Sequence, residues 1–120
     1  MQEYLLLIRT EGNPWDILSP EQQQKHVEKA AAYISNLVKE GKLKGAQPLE
    51  PEGKIISNTK GAWKDGPFNE SKEVIAGYFL ILASDLDDAI SIAKKNPIYE
   101  DQLKARIEVR PIKAVEGVNV

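Results

Sequence analysis

The sequence predicts an α+β fold of the ferredoxin-like type, with the element order βαββαβ and both helices on one face of an antiparallel sheet. Two similar apolar runs carry this prediction, residues 4–8 and residues 78–82, and each is followed by a segment with helical periodicity. Because both runs are apolar at successive positions, we expect two central strands that are buried on both faces. A length of 120 residues fits one domain, so residues 1–120 are assigned to a single unit.

The first helix is predicted from its boundary signals and its apolar stripe. Ser19 is a suitable capping residue, Pro20 fits the first helical position, and Gln22 completes a capping box. Gly41 supplies a left-handed stop. Between these signals lies a single apolar stripe, formed by Val27, Ala30, Ala31, Ile34, Leu37 and Val38.

The second helix follows the second apolar run. Ser84 or Asp85 is expected to cap it, and Asn96 with Pro97 to end it. Its apolar face is expected to consist of Leu86, Ala89, Ile90 and Ala93.

The middle of the chain has weaker signals, because prolines and glycines interrupt residues 43–60. We expect two strands there, at residues 44–49 and 54–59, joined by a turn at residues 51–53. Residues 61–73 are predicted to form a long polar loop, a kind of segment that often carries function.

The end of the chain predicts one more strand and a tail. Ile107 and Val109 alternate with charged residues, as expected for a strand with one buried face, and Pro111 weakens the end of this strand. Residues 115–120 are expected to form an unstructured or exchanging tail.

The composition excludes several classes of protein. Sixteen basic and eighteen acidic residues give a formal charge of −2, so we expect no binding of nucleic acid or of an anionic membrane surface. The absence of cysteine excludes disulfides and cysteine-ligated metals, and neither a metal site nor a cofactor is predicted. The longest apolar run, residues 74–83, is about half of the roughly 20 residues that a spanning helix needs. With no signal-peptide pattern at the N-terminus, a cytoplasmic protein is expected.

The predicted sheet leaves one face without cover. Two helices shield one face of a four-stranded sheet, yet both central strands are apolar on both faces. Exposed apolar patches of several hundred Å² are uncommon on soluble monomers. We therefore expect a symmetric homodimer, with sheet facing sheet. The alternative is that the polar loop folds back over the sheet of its own chain.

The most distinctive segment is KDGPFNESKE at residues 64–73, followed by IAGYF at residues 75–79. In these residues the chain resembles the YCII-related family of DGPF-motif proteins. Weaker matches are YLLLI at residues 4–8, DLDDA at residues 85–89 and EVRPI at residues 108–112. The resemblance implies a ferredoxin-like fold that dimerises into an α+β barrel with a cleft beside the sheet. It implies no particular reaction.

Asp65 is the first candidate catalytic residue. Residues 65–67, Asp-Gly-Pro, are predicted to form a rigid turn at the cleft. A carboxylate there could act as a general base or bind a cationic group if burial raises its pKa. The alternative is an architectural loop in which Phe68, a candidate ligand contact, plugs the sheet edge instead. The charged residues that the turn could aim at the cleft are Asp65, Glu70, Lys72 and Glu73.

His26 is the second candidate, because a histidine side chain ordinarily titrates near neutral pH. The resemblance implies a histidine on the first helix, paired with an aspartate, as an active site of the wider family. Counted back from Gly41, His26 falls about one helical turn too early to match that histidine. The alternative is a solvated surface histidine.

Arginines and tryptophans complete the candidate ligand-binding residues. Arg9 ends a central strand, and Arg106 and Arg110 share one face of the last strand. If they line the cleft, they favour a small anionic ligand, a carboxylate or a phosphate. The alternative is an exposed face with a glutamate between the arginines. Trp15 and Trp63 lie in predicted loops, where a large ring contacts a pocket wall, an interface or a ligand.

Three functions remain open from the sequence, which does not decide between an enzyme and a binding protein. One is a small-molecule site in the dimer cleft, with or without catalysis by a carboxylate acid or base. Another is a non-catalytic, dimeric interaction or regulatory module. A monooxygenase-like use of the dimeric barrel is a third option, and it rests on fold analogy alone.

Overall fold

The structure is a computed structural model that describes residues 1–67, 73–100 and 104–120. This part of the chain forms six strands, two α-helices and two short 3-10 helices. In chain order they are β1 (Gln2–Glu11), a 3-10 helix (Pro14–Ile17), α1 (Pro20–Lys39), β2 (Leu43–Pro48), β3 (Lys54–Thr59), β4 (Ala62–Pro67), β5 (Glu73–Ala83), α2 (Leu86–Lys94), a second 3-10 helix (Pro97–Tyr99) and β6 (Ala105–Pro111).

Four of the strands form the predicted ferredoxin-like sheet. Its order is β2-β5-β1-β6, and every neighbouring pair is antiparallel. The two apolar strands, β1 and β5, are central, as the sequence predicts. The α+β, ferredoxin-like fold class is therefore confirmed.

The core lies between this sheet and the two helices. Leu6 of β1 and Ile81 of β5 are both 0% exposed, and they form one apolar cluster with Leu37 of α1 and Ile92 of α2. The hydroxyl of Tyr33 ties the helices together, since it donates to the backbone carbonyl of Ile92 at 2.7 Å.

Both helices begin where the sequence predicts. The Ser19 hydroxyl accepts a hydrogen bond from the backbone N–H of Gln22, whose side-chain oxygen accepts one from the backbone N–H of Ser19. This is the reciprocal capping box that satisfies two otherwise unpaired N–H groups. Asp85 caps α2 by accepting from the backbone N–H of Asp88 at 2.8 Å. The predicted apolar faces are less covered than expected, because Val27, Ala31 and Val38 of α1 and Leu86 of α2 are exposed.

The middle of the chain differs from the prediction. Residues 62–67 form the strand β4 rather than a loop, and β4 pairs with β3 in a separate two-stranded sheet. The predicted strand at residues 44–49 is present as β2, but it pairs with β5 and not with β3. Residues 51–53 therefore connect the main sheet to the hairpin instead of forming a turn between paired strands. We call the β3–β4 hairpin, residues 54–67, the arm.

The turn of the arm explains the error. Lys60 and Gly61 form a two-residue connection in which both residues have positive φ, 51° and 84°. This is the geometry of the hairpin turn that matches the twist of paired strands. Glycine adopts it freely, but lysine rarely does, so the sequence gives a weak turn signal here. Asp65, Gly66 and Pro67 consequently lie in β4, and their predicted turn is wrong.

The other face of the main sheet lies opposite the helices. Its central part is apolar, because alternate residues of β1 and β5 point to this side, and these side chains are partly exposed. They are Leu5, Leu7, Ile75, Tyr78, Leu80 and Leu82. A homodimer through this face stays a prediction.

No helix in the described residues has both the length and the apolar character needed to cross a bilayer.

Candidate functional site

A cavity of about 380 Å³ lies between the N-terminal half of α1 and the part of the sheet formed by β2 and β5. Ile8, Phe79 and Ile98 are buried and form its floor, whereas Trp15 and Val27, 40% and 48% exposed, lie towards solvent. The described lining consists of Ile8, Trp15, Leu18, His26, Val27, Ala30, Ala31, Ile34, Ala46, Gln47, Pro48, Ala76, Gly77, Phe79, Asn96 and Ile98.

The cavity is lined by small side chains on three different elements. Ala30 and Ala31 line it from α1, Ala46 from β2 and Ala76 from β5. Larger side chains at these positions would occupy the space between the helix and the sheet. Further along α1, the larger Leu37 fills the corresponding space and belongs to the core.

A bulge in β5 shapes the wall on the sheet side. The pairing register of β1 and β5 shifts between Ile8 and Arg9, which leaves Ala76 as the additional residue. At the adjacent Gly77, a Cβ atom would lie 2.9 Å from the backbone oxygen of Gln47. Only glycine therefore permits the end of β2 to approach β5 this closely, and that approach brings Pro48 to the cavity.

Three polar side chains are among the sixteen described lining residues, His26, Gln47 and Asn96. The His26 ring packs edge-on against the Trp15 ring, with 5.8 Å between the ring centres and 81° between the planes. Asn96 is 5% exposed, and its side-chain oxygen accepts a hydrogen bond from the backbone N–H of Ile98 at 3.0 Å. Within this described lining, His26 is the one side chain with an imidazole, which can donate or accept a proton.

The structure thus brings two of the predicted site residues together. Trp15 and His26 come from different elements, the first 3-10 helix and α1, and they meet at the same cavity. His26 is partly buried rather than fully solvated. The sequence argument placed the site on the opposite face of the sheet, in a cleft between two subunits.

Asp65 is not among the described residues that line the cavity. It lies on β4, in the arm, with its side chain 66% exposed. Its carboxylate is 3.8 Å from the ammonium nitrogen of Lys54 on β3. The candidates Phe68, Glu70 and Lys72 lie outside the described residues.

The arginine candidates belong to an ion-pair network along the β6 edge of the open sheet face. Arg9 Nη2 lies 3.0 Å from a carboxylate oxygen of Glu108, and Arg110 donates to the other oxygen at 3.2 Å. Glu73 pairs with Arg106, and its carboxylate lies 3.9 Å from Arg9. Hydrogen bonds from Arg110 and Arg9 hold the pKa of Glu108 below its usual value. An anionic ligand at these arginines would have to compete with two carboxylates of the chain itself.

No group of three or more histidine, aspartate and glutamate side chains in the described residues is arranged to hold a metal ion.

Sequence reasoning missed most of the cavity wall. It assigned Val27 and Ala30 to the apolar stripe of the first helix, assigned Asn96 to the end of the second helix, and gave no site role to Ala46 or Ala76. The available signal was two pairs of adjacent small residues, Gly-Ala at residues 45–46 and Ala-Gly at residues 76–77. Such pairs indicate close backbone approach as readily as a cavity, so the sequence alone could not separate the two.

Comparisons with known proteins agree with this architecture. The family model described as YCII-related domain matches residues 2–113. Among curated proteins, none matches the chain. Among solved structures, a similar one is 5-chloro-2-hydroxyhydroquinone dehydrochlorinase from Burkholderia phenoliruptrix AC1100, in complex with 2,5-dihydroxybenzoquinone. The two sequences are 18% identical, and the superposition covers 93% of this chain and 96% of the dehydrochlorinase chain with a TM-score of 0.55. This similarity shows a shared fold.

Proposed function

The chain belongs to the family of YCII-related domain proteins, and we propose that it binds a small, mostly apolar molecule in the cavity under α1. The observation that carries the proposal is the cavity itself, with an apolar lining and His26 and Trp15 in contact at its solvent side. Ligand sites in proteins are typically concave, mostly apolar and equipped with a few convergent polar groups.

The size of the cavity supports a ligand built on one substituted ring. An engineered cavity of about 150 Å³ holds benzene. The cavity here, at about 380 Å³, has room for such a ring with several substituents. The ring ligand of the dehydrochlorinase falls in this class, which makes 2,5-dihydroxybenzoquinone a suitable probe.

His26 gives the site a group that can exchange a proton with the ligand. An imidazole can accept the proton of a ring hydroxyl, so that the O–H bond breaks and an N–H bond forms. The resulting imidazolium then lies beside the anionic oxygen and stabilises it. This step makes general acid–base chemistry available without a further co-reactant, and it defines the enzymatic form of the proposal.

The first test is calorimetric titration with 2,5-dihydroxybenzoquinone. Ala30→Leu fills the cavity from α1 and is expected to weaken binding about tenfold or more. Its matched control is Ala32→Leu, the same substitution two residues along the helix at an exposed position outside the described cavity lining. Equal affinity in both variants, or no binding by the natural chain, would contradict the proposal.

The proton exchange is tested by repeating the titration in buffers with different ionisation enthalpies. The probe is a vinylogous acid that binds as an anion, so the natural chain is expected to take up protons on binding, and His26→Asn to lose this difference between buffers. The same proton exchange in His26→Asn would assign it to another group.

A second candidate is the acid–base carboxylate site at a homodimer sheet face, with Asp65 as the acting group. The observation that favours it is the apolar, partly exposed sheet face opposite the helices. It predicts the reverse pattern in the titration, namely weaker binding for Asp65→Asn and unchanged binding for Ala30→Leu. The non-catalytic interaction module predicts no binding of the probe by any variant.

A further inference from the structure

The arm carries large apolar side chains that nothing in the described structure covers. All residues of β3 are exposed, and Ile55, Ile56 and Trp63 are 55%, 67% and 75% exposed. Ile56 pairs with Asp65, and Asn58 with Trp63, so Ile56 and Trp63 are diagonal neighbours on one face of the hairpin. An isolated two-stranded hairpin is marginally stable in water, so this face needs cover.

We propose that the arm docks onto a second copy of this chain, at the solvent side of that copy's cavity. We call the docking surface, residues 13–28, the rim. The rim exposes apolar side chains of its own, since Trp15, Ile17 and Val27 are 40%, 68% and 48% exposed. Two exposed apolar surfaces on the same chain can therefore cover each other in a pair of copies.

The charges of the arm and the rim are complementary. The arm carries three lysines and one carboxylate, whereas the rim carries three carboxylates and one lysine. Lys54 and Asp65 lie beside each other on the face that carries Ile56 and Trp63, and Lys64 lies on the other face, so the complementarity is one of net charge, which steers and speeds association. The basic residues of the arm are Lys54, Lys60 and Lys64, and the acidic residues of the rim are Asp16, Glu21 and Glu28.

The open sheet face is a poorer partner for a basic arm. The ion-paired residues at its border are four basic and three acidic ones, since Lys44 lies 3.2 Å from Glu3 in addition to the arginine contacts described above. Electrostatic attraction therefore favours the rim. The residues of this border are Lys44, Arg9, Arg106 and Arg110 with Glu3, Glu73 and Glu108.

The position of the arm in the chain suits a reciprocal exchange. β2 ends at Pro48, which lines the cavity, and the arm begins at Lys54. Because each arm leaves the body beside its own cavity, a two-fold axis near that point sends each arm to the rim of the other copy. The pairing then closes on itself, with two identical contacts. The role given to the cavity rests on the proposed function, whereas the pairing of copies does not.

Site-specific cross-linking tests the contact directly, because the chain has no cysteine. Ser57→Cys places a thiol on the arm and Gln24→Cys places one on the rim, both at exposed positions. With a flexible bismaleimide, an equal mixture of the two variants is expected to give a cross-linked dimer of one of each. A dimer of Ser57→Cys with itself would instead show arm-to-arm pairing. A link within one chain of the double variant would show an arm closed over its own cavity.

Sedimentation equilibrium measures how much the arm contributes. Ile56→Ser is expected to weaken self-association roughly tenfold or more, as for a buried anchor residue at an interface. The matched control is Val38→Ser, which removes a similarly exposed apolar side chain from the far half of α1. A monomeric natural chain, or unchanged association in Ile56→Ser, would overturn the inference.

These measurements contain no ligand, so they are independent of the proposed function. If the copies pair through the arms but 2,5-dihydroxybenzoquinone does not bind, the ligand site fails and the arm contact stands. If the probe binds and Ile56→Ser associates as the natural chain does, the arm contact fails alone.

Discussion

The main sheet and the arm are both antiparallel, yet they differ in what covers their side chains. In the main sheet, Leu6 and Ile81 are 0% exposed beneath the two helices. In the arm, Ile56 and Trp63 remain 67% and 75% exposed although their strands are fully paired. Backbone pairing forms in both, but only the main sheet adds the burial of apolar area that stabilises a fold. The stability of this chain therefore resides in the layered body, and the arm depends on a contact that the body does not provide.

The largest expected difference between the two regions is in the free energy of unfolding. Leu6→Ala leaves a cavity in the core and is expected to cost about 3 kcal/mol, within the usual range of about 2–5 kcal/mol. Ile56→Ala in the arm is expected to cost less than about 0.5 kcal/mol in the separate chain. Urea unfolding at one low protein concentration measures both. A comparable cost in the two variants would show that the arm belongs to the core.

Substitution of one glycine in each region is expected to give an effect of intermediate size on the free energy of unfolding. Gly77→Ala brings a Cβ atom to 2.9 Å from the backbone oxygen of Gln47, so β2 must shift away from β5. We expect a cost of about 1–3 kcal/mol, as for overpacked sites. Gly66→Ala in the arm is its control, because no atom beyond the neighbouring residues lies within 4 Å of the added Cβ. Amide hydrogen exchange in β2 should increase in Gly77→Ala alone, and equal effects of both glycines would contradict the close approach of β2.

The smallest effect concerns the charges of the main sheet. The pKa of Glu108 is lowered in the folded chain by hydrogen bonds from Arg110 and Arg9. A carboxylate with a lowered folded pKa stabilises the fold above its unfolded pKa, and this contribution is lost as the pH falls through the folded pKa. Glu108→Gln is thus expected to be slightly less stable than the natural chain at pH 7 and to lose less stability on acidification. Thermal unfolding from pH 7 down to pH 2 measures this, with the exposed arm variant Asp65→Asn as control.

Local signals predicted the helices and the central strands well. The capping box of Ser19 and Gln22 depends on residues three apart, and the structure contains both of its hydrogen bonds. The apolar runs of β1 and β5 predicted central strands, because a strand with one solvated face alternates apolar and polar residues; cover of their second face stays a prediction. These features could be inferred since each depends on a few neighbouring residues.

Strand partners were predicted less well. The sequence predicted a strand at residues 54–59 but joined it by a turn to the strand at residues 44–49, and that pairing is wrong. The choice between β2 and β4 depended on the turn at Lys60 and Gly61, where lysine adopts a conformation that it rarely takes. The candidate site differs in position from the predicted cleft for a similar reason. The cavity joins residues from α1, β2 and β5 that are far apart in sequence.

The sequence by itself determined the two-layer body, through apolar periodicity, helix caps and the length of the chain. Only the tertiary structure decided that β3 pairs with β4 outside the main sheet, and that alanines on three elements leave a cavity next to His26. The physical reason is the range of the interactions. Periodicity and capping act between residues a few positions apart, whereas strand pairing and cavity shape depend on which distant surfaces meet, and no local pattern encodes that meeting.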